Sequence, residues 1–71
     1  MYRYRMVLRW SEPDQLWVVY VPELPGCVAD GATPEEAVQN AQDVIANWIA
    51  FAQEHGRDVP EPQSVDVSAA R

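Results

Sequence analysis

Residues 30–37 read Asp30-Gly31-Ala32-Thr33-Pro34-Glu35-Glu36-Ala37. This run ends one element and starts another. Thr33 fits the N-cap of a helix, Pro34 its first turn, where a missing amide costs nothing, and Glu36 the third helical position. Thr33 and Glu36 together form a capping box, and Glu35 and Glu36 lie at the positive end of the helix dipole. Downstream, Val38, Ala41, Ile45, Trp48, Ile49 and Ala52 recur at helical spacing and form an apolar stripe, widened on one flank by Val44 and Phe51. Ala37 and Ala41 are small enough to let the helix approach its neighbour closely. Glu36, Asn40, Asp43, Asn47 and Glu54 fall on the opposite, wet face. Gly56 supplies a C-terminal stop, so the spacing predicts a helix over residues 34–55. Such a helix is roughly 33 Å long.

Upstream, the period changes from helical to two. Tyr2, Tyr4, Met6, Leu8 and Trp10 share one parity and Arg3, Arg5, Val7 and Arg9 the other, which predicts a half-buried strand over residues 2–10. Its length, about 30 Å, matches the helix. Ser11-Glu12-Pro13-Asp14-Gln15 is a turn. Leu16 to Val21 forms a second strand, antiparallel to the first because the link is short. Pro22-Glu23-Leu24-Pro25-Gly26 is a tight connection, and residues 27–30 form a short third strand ended by Asp30-Gly31. Beyond the helix, Asp58-Val59-Pro60-Glu61-Pro62 is an extended linker, and Ser64 to Val67 is read as a short last strand. The expected class is α+β: an antiparallel three-stranded sheet, one long helix and a short final strand, in the order β-β-β-α-β.

The second strand is apolar on both faces: Leu16, Val18 and Tyr20 on one, Trp17, Val19 and Val21 on the other. One helix covers one face. The reading places Trp17, Val19 and Val21 outward, against another chain; the alternative leaves Trp17 lying flat across its neighbours on a partly exposed face. Size points the same way. A chain of 71 residues buries only roughly 60% of its unfolded surface and commonly needs a staple. Cys27 is the one cysteine and His55 the one histidine, which removes disulfides and a zinc cage. Oligomerisation, as a dimer or tetramer, is the staple that remains.

Charge narrows the function. Eleven acidic residues against five arginines give a net charge of −6, which opposes direct binding to nucleic acid and suits either solubility or a basic protein partner. The composition, 48% hydrophobic and 23% charged, is that of a globular protein. There is no apolar signal region behind the N-terminal arginines, and the longest apolar run, Leu16 to Val21, is far too short to span a bilayer. A cytoplasmic protein without membrane contact is expected. Catalytic constellations are missing. Asp14, Glu23 and Asp30 sit in separate turns, which disfavours a metal-dependent nuclease. His55, at a helix end, has no base or nucleophile beside it. Cys27 reads as a small buried thiol. Arg3, Arg5 and Arg9 are expected to pair with carboxylates across the sheet or in another subunit. No cofactor, metal or catalytic residue is expected.

Several segments together resemble the HicB-like antitoxin family: Pro22-Glu23-Leu24-Pro25-Gly26-Cys27, Asp30 to Ala37, Asn40-Ala41, Trp48 and Val59-Pro60-Glu61-Pro62. They run nearly the whole length of the chain, and the offsets join a turn, a strand end and a capped helix. Gln15 stands where the family often has glycine in its first hairpin, and Glu23 replaces a common aspartate. The resemblance implies a partial ribonuclease-H-like fold without that enzyme's catalytic carboxylates. It also implies a partner of HicA type, a small basic toxin that cleaves RNA with a histidine and is neutralised when its active surface is covered. Many members carry a second, C-terminal DNA-binding domain; ending at residue 71, this chain is expected to be a short form, one domain over residues 1–71, that does not repress its own operon alone. With the acidic charge, the resemblance nominates Glu12, Asp14, Glu23, Leu24, Pro25 and Asp30 as partner-facing. The other expectation is a self-assembling domain without a toxin, joined through Trp17, Val19 and Val21.

Overall fold

A computed structural model of the chain describes residues 2–63. Strands β1 (Val7–Ser11), β2 (Leu16–Tyr20) and β3 (Val28–Gly31) are followed by helix α1 (Pro34–Glu54). The sheet is antiparallel in the order β1-β2-β3. The α+β class and the three-strand, one-helix architecture are as expected. The expected last strand, Ser64 to Val67, lies outside the described residues.

The helix start is built as its sequence indicates. Thr33 is extended and its hydroxyl accepts from the Glu36 amide at 3.1 Å. The returning half of the box shifts by one residue, since the Glu36 carboxylate accepts from the amide of Ala32, at 3.4 Å. At the far end His55 is the C-cap, and Gly56 takes the left-handed conformation (φ +66°). The β1–β2 turn closes with Gln15 at φ +54°, a region that side chains other than glycine rarely adopt.

The first strand is shorter than its alternation suggests. Val7 pairs with Tyr20, the last residue of β2. Beyond Tyr20 the chain turns into a loop at Pro22, which has no amide to donate, so residues 2–6 find no strand partner among the described residues. They bond elsewhere: the Tyr2 amide donates to Gln42 Oε1 and the Arg5 amide to Glu23 Oε1. Tyr4 is buried, and its hydroxyl donates to the Pro60 carbonyl.

Helix α1 lies over β3 and β2 and barely touches β1. Val19 (0% exposed), Ala29, Ala37 and Ala41 form one core cluster, flanked by Trp17 and Val38. Tyr4, Val21, Leu24, Cys27 and Ile45 form the other, flanked by Trp48 and Ile49. The expected orientation of β2 is therefore reversed. Trp17, Val19 and Val21 point to the helix, and Leu16, Val18 and Tyr20 point outward. A strand with two apolar faces does not fix its own parity; its neighbour does. Val19 pairs with Ala29 and Trp17 with Gly31, and these small residues make the side on which a helix can settle. Leu8 and Trp10 share that side but remain exposed, because the helix sits away from β1.

Candidate interaction surfaces

The nominated residues separate into two ends of the sheet. Glu12 and Asp14 lie in the β1–β2 turn, exposed. Their side chains are engaged locally: Glu12 Oε2 accepts from Trp10 Nε1 at 2.7 Å and Asp14 Oδ2 from Ser11 Oγ at 3.0 Å. Asp30 is exposed near the end of β3, across from Val18. Because β3 runs antiparallel to β2, Asp30 lies at the same end as that turn, as does the start of the helix with Glu35 and Glu36. The loop Glu23-Leu24-Pro25 is at the other end of β2, about 15 Å away by strand geometry.

Within that loop the three nominated residues differ. Leu24 is fully buried, at 0% exposure, and presents nothing to a partner. Its hydrophobicity is used inside, where the amide of Leu24 donates to the Val21 carbonyl and its carbonyl accepts from the Cys27 amide. Pro25 is exposed, and its carbonyl accepts from Trp48 Nε1 at 2.9 Å, which ties the loop to the helix.

Glu23 is a clamp. Its two carboxylate oxygens accept from the Arg5 amide (2.8 Å) and the Gln63 amide (3.0 Å), joining the segments before β1 and after α1 to the β2–β3 loop. These bonds, from Gln63 first and Arg5 second, hold the carboxyl below the ordinary glutamate value of 4.5. A depressed folded-state value means that the ionised clamp stabilises the fold above the unfolded pKa and that this contribution disappears as the pH falls through the folded one. Glu23→Gln should therefore melt below the parent near neutral pH, with the gap closing as the pH falls from the ordinary glutamate value of 4.5 through the lower folded one. A thermal melting series across pH checks this, and a gap constant across the series contradicts it. Arg3, Arg5, Pro22, Glu23 and Gln63 also line an open hollow of about 660 Å³ at this end.

Among the described residues, no constellation for catalysis comes together. Cys27 is buried, and burial pushes its thiol up, so the reactive thiolate is disfavoured. His55 Nδ1 lies 2.9 Å from the Phe51 carbonyl, its ring stacked on Phe51. Among the described residues, no three His, Cys, Asp or Glu side chains converge as a metal site, and no helix is long and apolar enough to cross a membrane.

The surface missed in the sequence is the outer face of the sheet. Tyr20 is 39% and Val28 52% exposed, side by side with Val7 in one row. Val18 lies in the next, between Arg9 and Asp30. A signal for it existed: Cys27, Ala29 and Gly31, small residues of one parity, match the small helix face of Ala37 and Ala41, which assigns that parity inward and Val28 outward.

A family model described as the HicB-like antitoxin of bacterial toxin–antitoxin systems matches residues 4–71. A UPF0150 protein of Thermoplasma acidophilum is 30% identical over 66 residues, covering 93% of this chain and 94% of its own length. An antitoxin HicB 2 of Photorhabdus laumondii is 30% identical over 60 residues, 84% of this chain but 43% of that protein. The capped helix, the small-residue seam beneath it and the proline-flanked loop thus occur in a chain that belongs to the HicB-like antitoxin family.

Proposed function

We propose that this chain is the non-catalytic partner in a toxin–antitoxin pair and neutralises a small basic toxin of HicA type by covering it. The observation that carries this reading is the acidic end of the sheet, where Glu12, Asp14, Asp30, Glu35 and Glu36 are all exposed on a chain of net charge −6. Opposite potentials speed encounter and fix orientation, and they act most strongly at low ionic strength. Glu12, Asp14 and Asp30, with Pro25 at the other end, are the partner-facing residues of the proposal. It acts in the cytoplasm, without nucleic-acid contact of its own, since its charge opposes phosphate.

The test is co-expression with the small basic protein encoded beside it. The expected result is a complex that co-purifies and relieves growth arrest, with an association rate that falls as salt is raised. If no complex forms with any small basic neighbour, the reading is lost.

A second reading, a homo-oligomer, is favoured by the outer sheet face, on which Leu16, Val18, Tyr20 and Val28 stand together. Self-assembly does not exclude a toxin partner, because only Asp30 of the acidic end belongs to the outer face as well.

A further inference from the structure

The outer face has a charge arrangement that selects its partner. Its central row is Arg9, Val18, Asp30, one residue from each strand. The next row is Val7, Tyr20, Val28, and Leu16 follows Val18 on the other side. Positive charge lies on one edge strand, negative charge on the other, and an apolar line runs down the middle strand. Arg9 and Asp30 are both exposed.

Sheets stack face to face with strands nearly aligned, about 10 Å apart. Two copies of this face can do so about a two-fold axis that runs either along the strands or across them. With the axis across the strands and through this central row, Arg9 lies over Arg9 of the second copy and Asp30 over Asp30, and both contacts repel. With the axis along the strands and through β2, edges exchange: Arg9 lies over Asp30 of the second copy, Asp30 over its Arg9, and Val7 over its Val28. Val18, Tyr20 and Leu16 meet their own counterparts at the centre. An arginine and an aspartate together reach across the gap. Of these two arrangements only the second is self-complementary, which is the property an isologous interface requires.

We infer that this face pairs with a second copy of the chain, in parallel alignment, through Leu16, Val18, Tyr20 and Val28 and two Arg9–Asp30 ion pairs. The inference rests on the homo-oligomer reading and needs no toxin, although it shares Asp30 with the proposed toxin surface. The face is small: about 16 Å along the strands and about 14 Å across. That is below the standard of roughly 800 Å² per partner, so the dimer dissociates in the micromolar range and not at nanomolar concentration.

The experiment is sedimentation of the whole chain alone, from about 1 to 200 µM, with three variants. Arg9→Asp and Asp30→Arg each place like charges opposite one another at both contacts. Each should weaken self-association at least about ten-fold, equivalent to about 1.4 kcal/mol. Mixed in equal amounts, the two variants should form a heterodimer within about threefold of the parent's affinity, because every contact again joins opposite signs. Arg9→Asp combined with Asp30→Arg in one chain should restore it likewise. Both positions are exposed and circular dichroism confirms folding, while the rescue arms separate a lost contact from a damaged fold. A parent that stays monomeric at 200 µM, single variants that associate like the parent, or a mixture that is not rescued each overturn the inference. Toxin binding by a monomeric parent would leave the toxin reading intact and remove this one, so the two failures are distinct.

Discussion

Leu24→Ala should lower the unfolding free energy by about 2–5 kcal/mol, the range for removing a fully buried leucine. A chain of this size holds roughly 4–10 kcal/mol in all. The loss would take a large fraction of it and lower Tm by about 10 °C or more. Leu24 is one of the largest side chains removed entirely from solvent, packed with Tyr4, Val21, Cys27 and Ile45. Its neighbours cannot collapse cheaply into the space. Three backbone hydrogen bonds hold the loop, and Trp48 pins it to the helix through the Pro25 carbonyl. Thermal melting reads the effect directly. Pro25→Ala, at an exposed position, should melt within about 4 °C of the parent, since surface changes stay within about 0.5 kcal/mol. A Leu24 variant that melts like the parent and weakens only partner binding would return Leu24 to the surface and contradict the core described above.

Gly31→Ala is the second large effect, and its cause is space. A Cβ at Gly31 would sit 2.5 Å from the Ala37 amide nitrogen, 2.9 Å from the Glu36 carbonyl carbon and 3.0 Å from the Ala37 Cα. All three belong to backbone in the first turn of α1, which no rotamer change moves. Either the helix lifts from β3 or the strand bends away, at a cost of about 1–3 kcal/mol or more. Lifting the helix also loosens Ala37 and Ala41 against Val19 and Ala29. Gly56→Ala gives the contrast. Nothing lies within 4 Å of the added carbon there, but φ is +66°, so its penalty is the left-handed conformation alone, about 1–2 kcal/mol at an end that can fray. Chemical denaturation of both variants separates the cases. Equal losses, or a Gly31 variant as stable as the parent, would mean that the helix and β3 do not meet as closely as this geometry requires.

Both results bear on the two proposed surfaces, because one seam sets both. The close approach of α1 to β3 turns Cys27, Ala29 and Gly31 inward, which turns Val28 and Asp30 outward. Without it, the outer row of Arg9, Val18 and Asp30 would have no defined side. The acidic end depends on the same contact, since the cap at Thr33 begins two residues beyond Gly31 and fixes where Glu35 and Glu36 emerge.

Much of this was legible in the chain itself. The helix was written in Thr33, Pro34 and Glu36 at one end and Gly56 at the other, because capping is local chemistry: a hydroxyl and an amide three residues apart meet whatever surrounds them. The antiparallel order of the strands followed from links too short for a crossover. The family was legible too, in motifs that join turn, strand and cap at fixed offsets. The buried character of Cys27 followed from its being a lone thiol between a turn and a strand.

Three features were decided only by tertiary contact. The parity of β2 was one: Leu16, Val18 and Tyr20 are as apolar as Trp17, Val19 and Val21, so alternation carried no sign, and the small residues of β3 beneath a small helix face supplied it. The second was the length of β1. The alternation of Tyr2, Tyr4 and Met6 continues that of Leu8 and Trp10, but a strand lasts only as long as its partner, and β2 ends at Tyr20. The third was the division of Glu23-Leu24-Pro25, three adjacent residues with three roles: a carboxylate clamp, a core side chain and an exposed turn. Local sequence specifies which backbone bonds form nearby. Which side of a two-faced strand becomes the interior depends on what is packed across it, and that is a property of the whole fold.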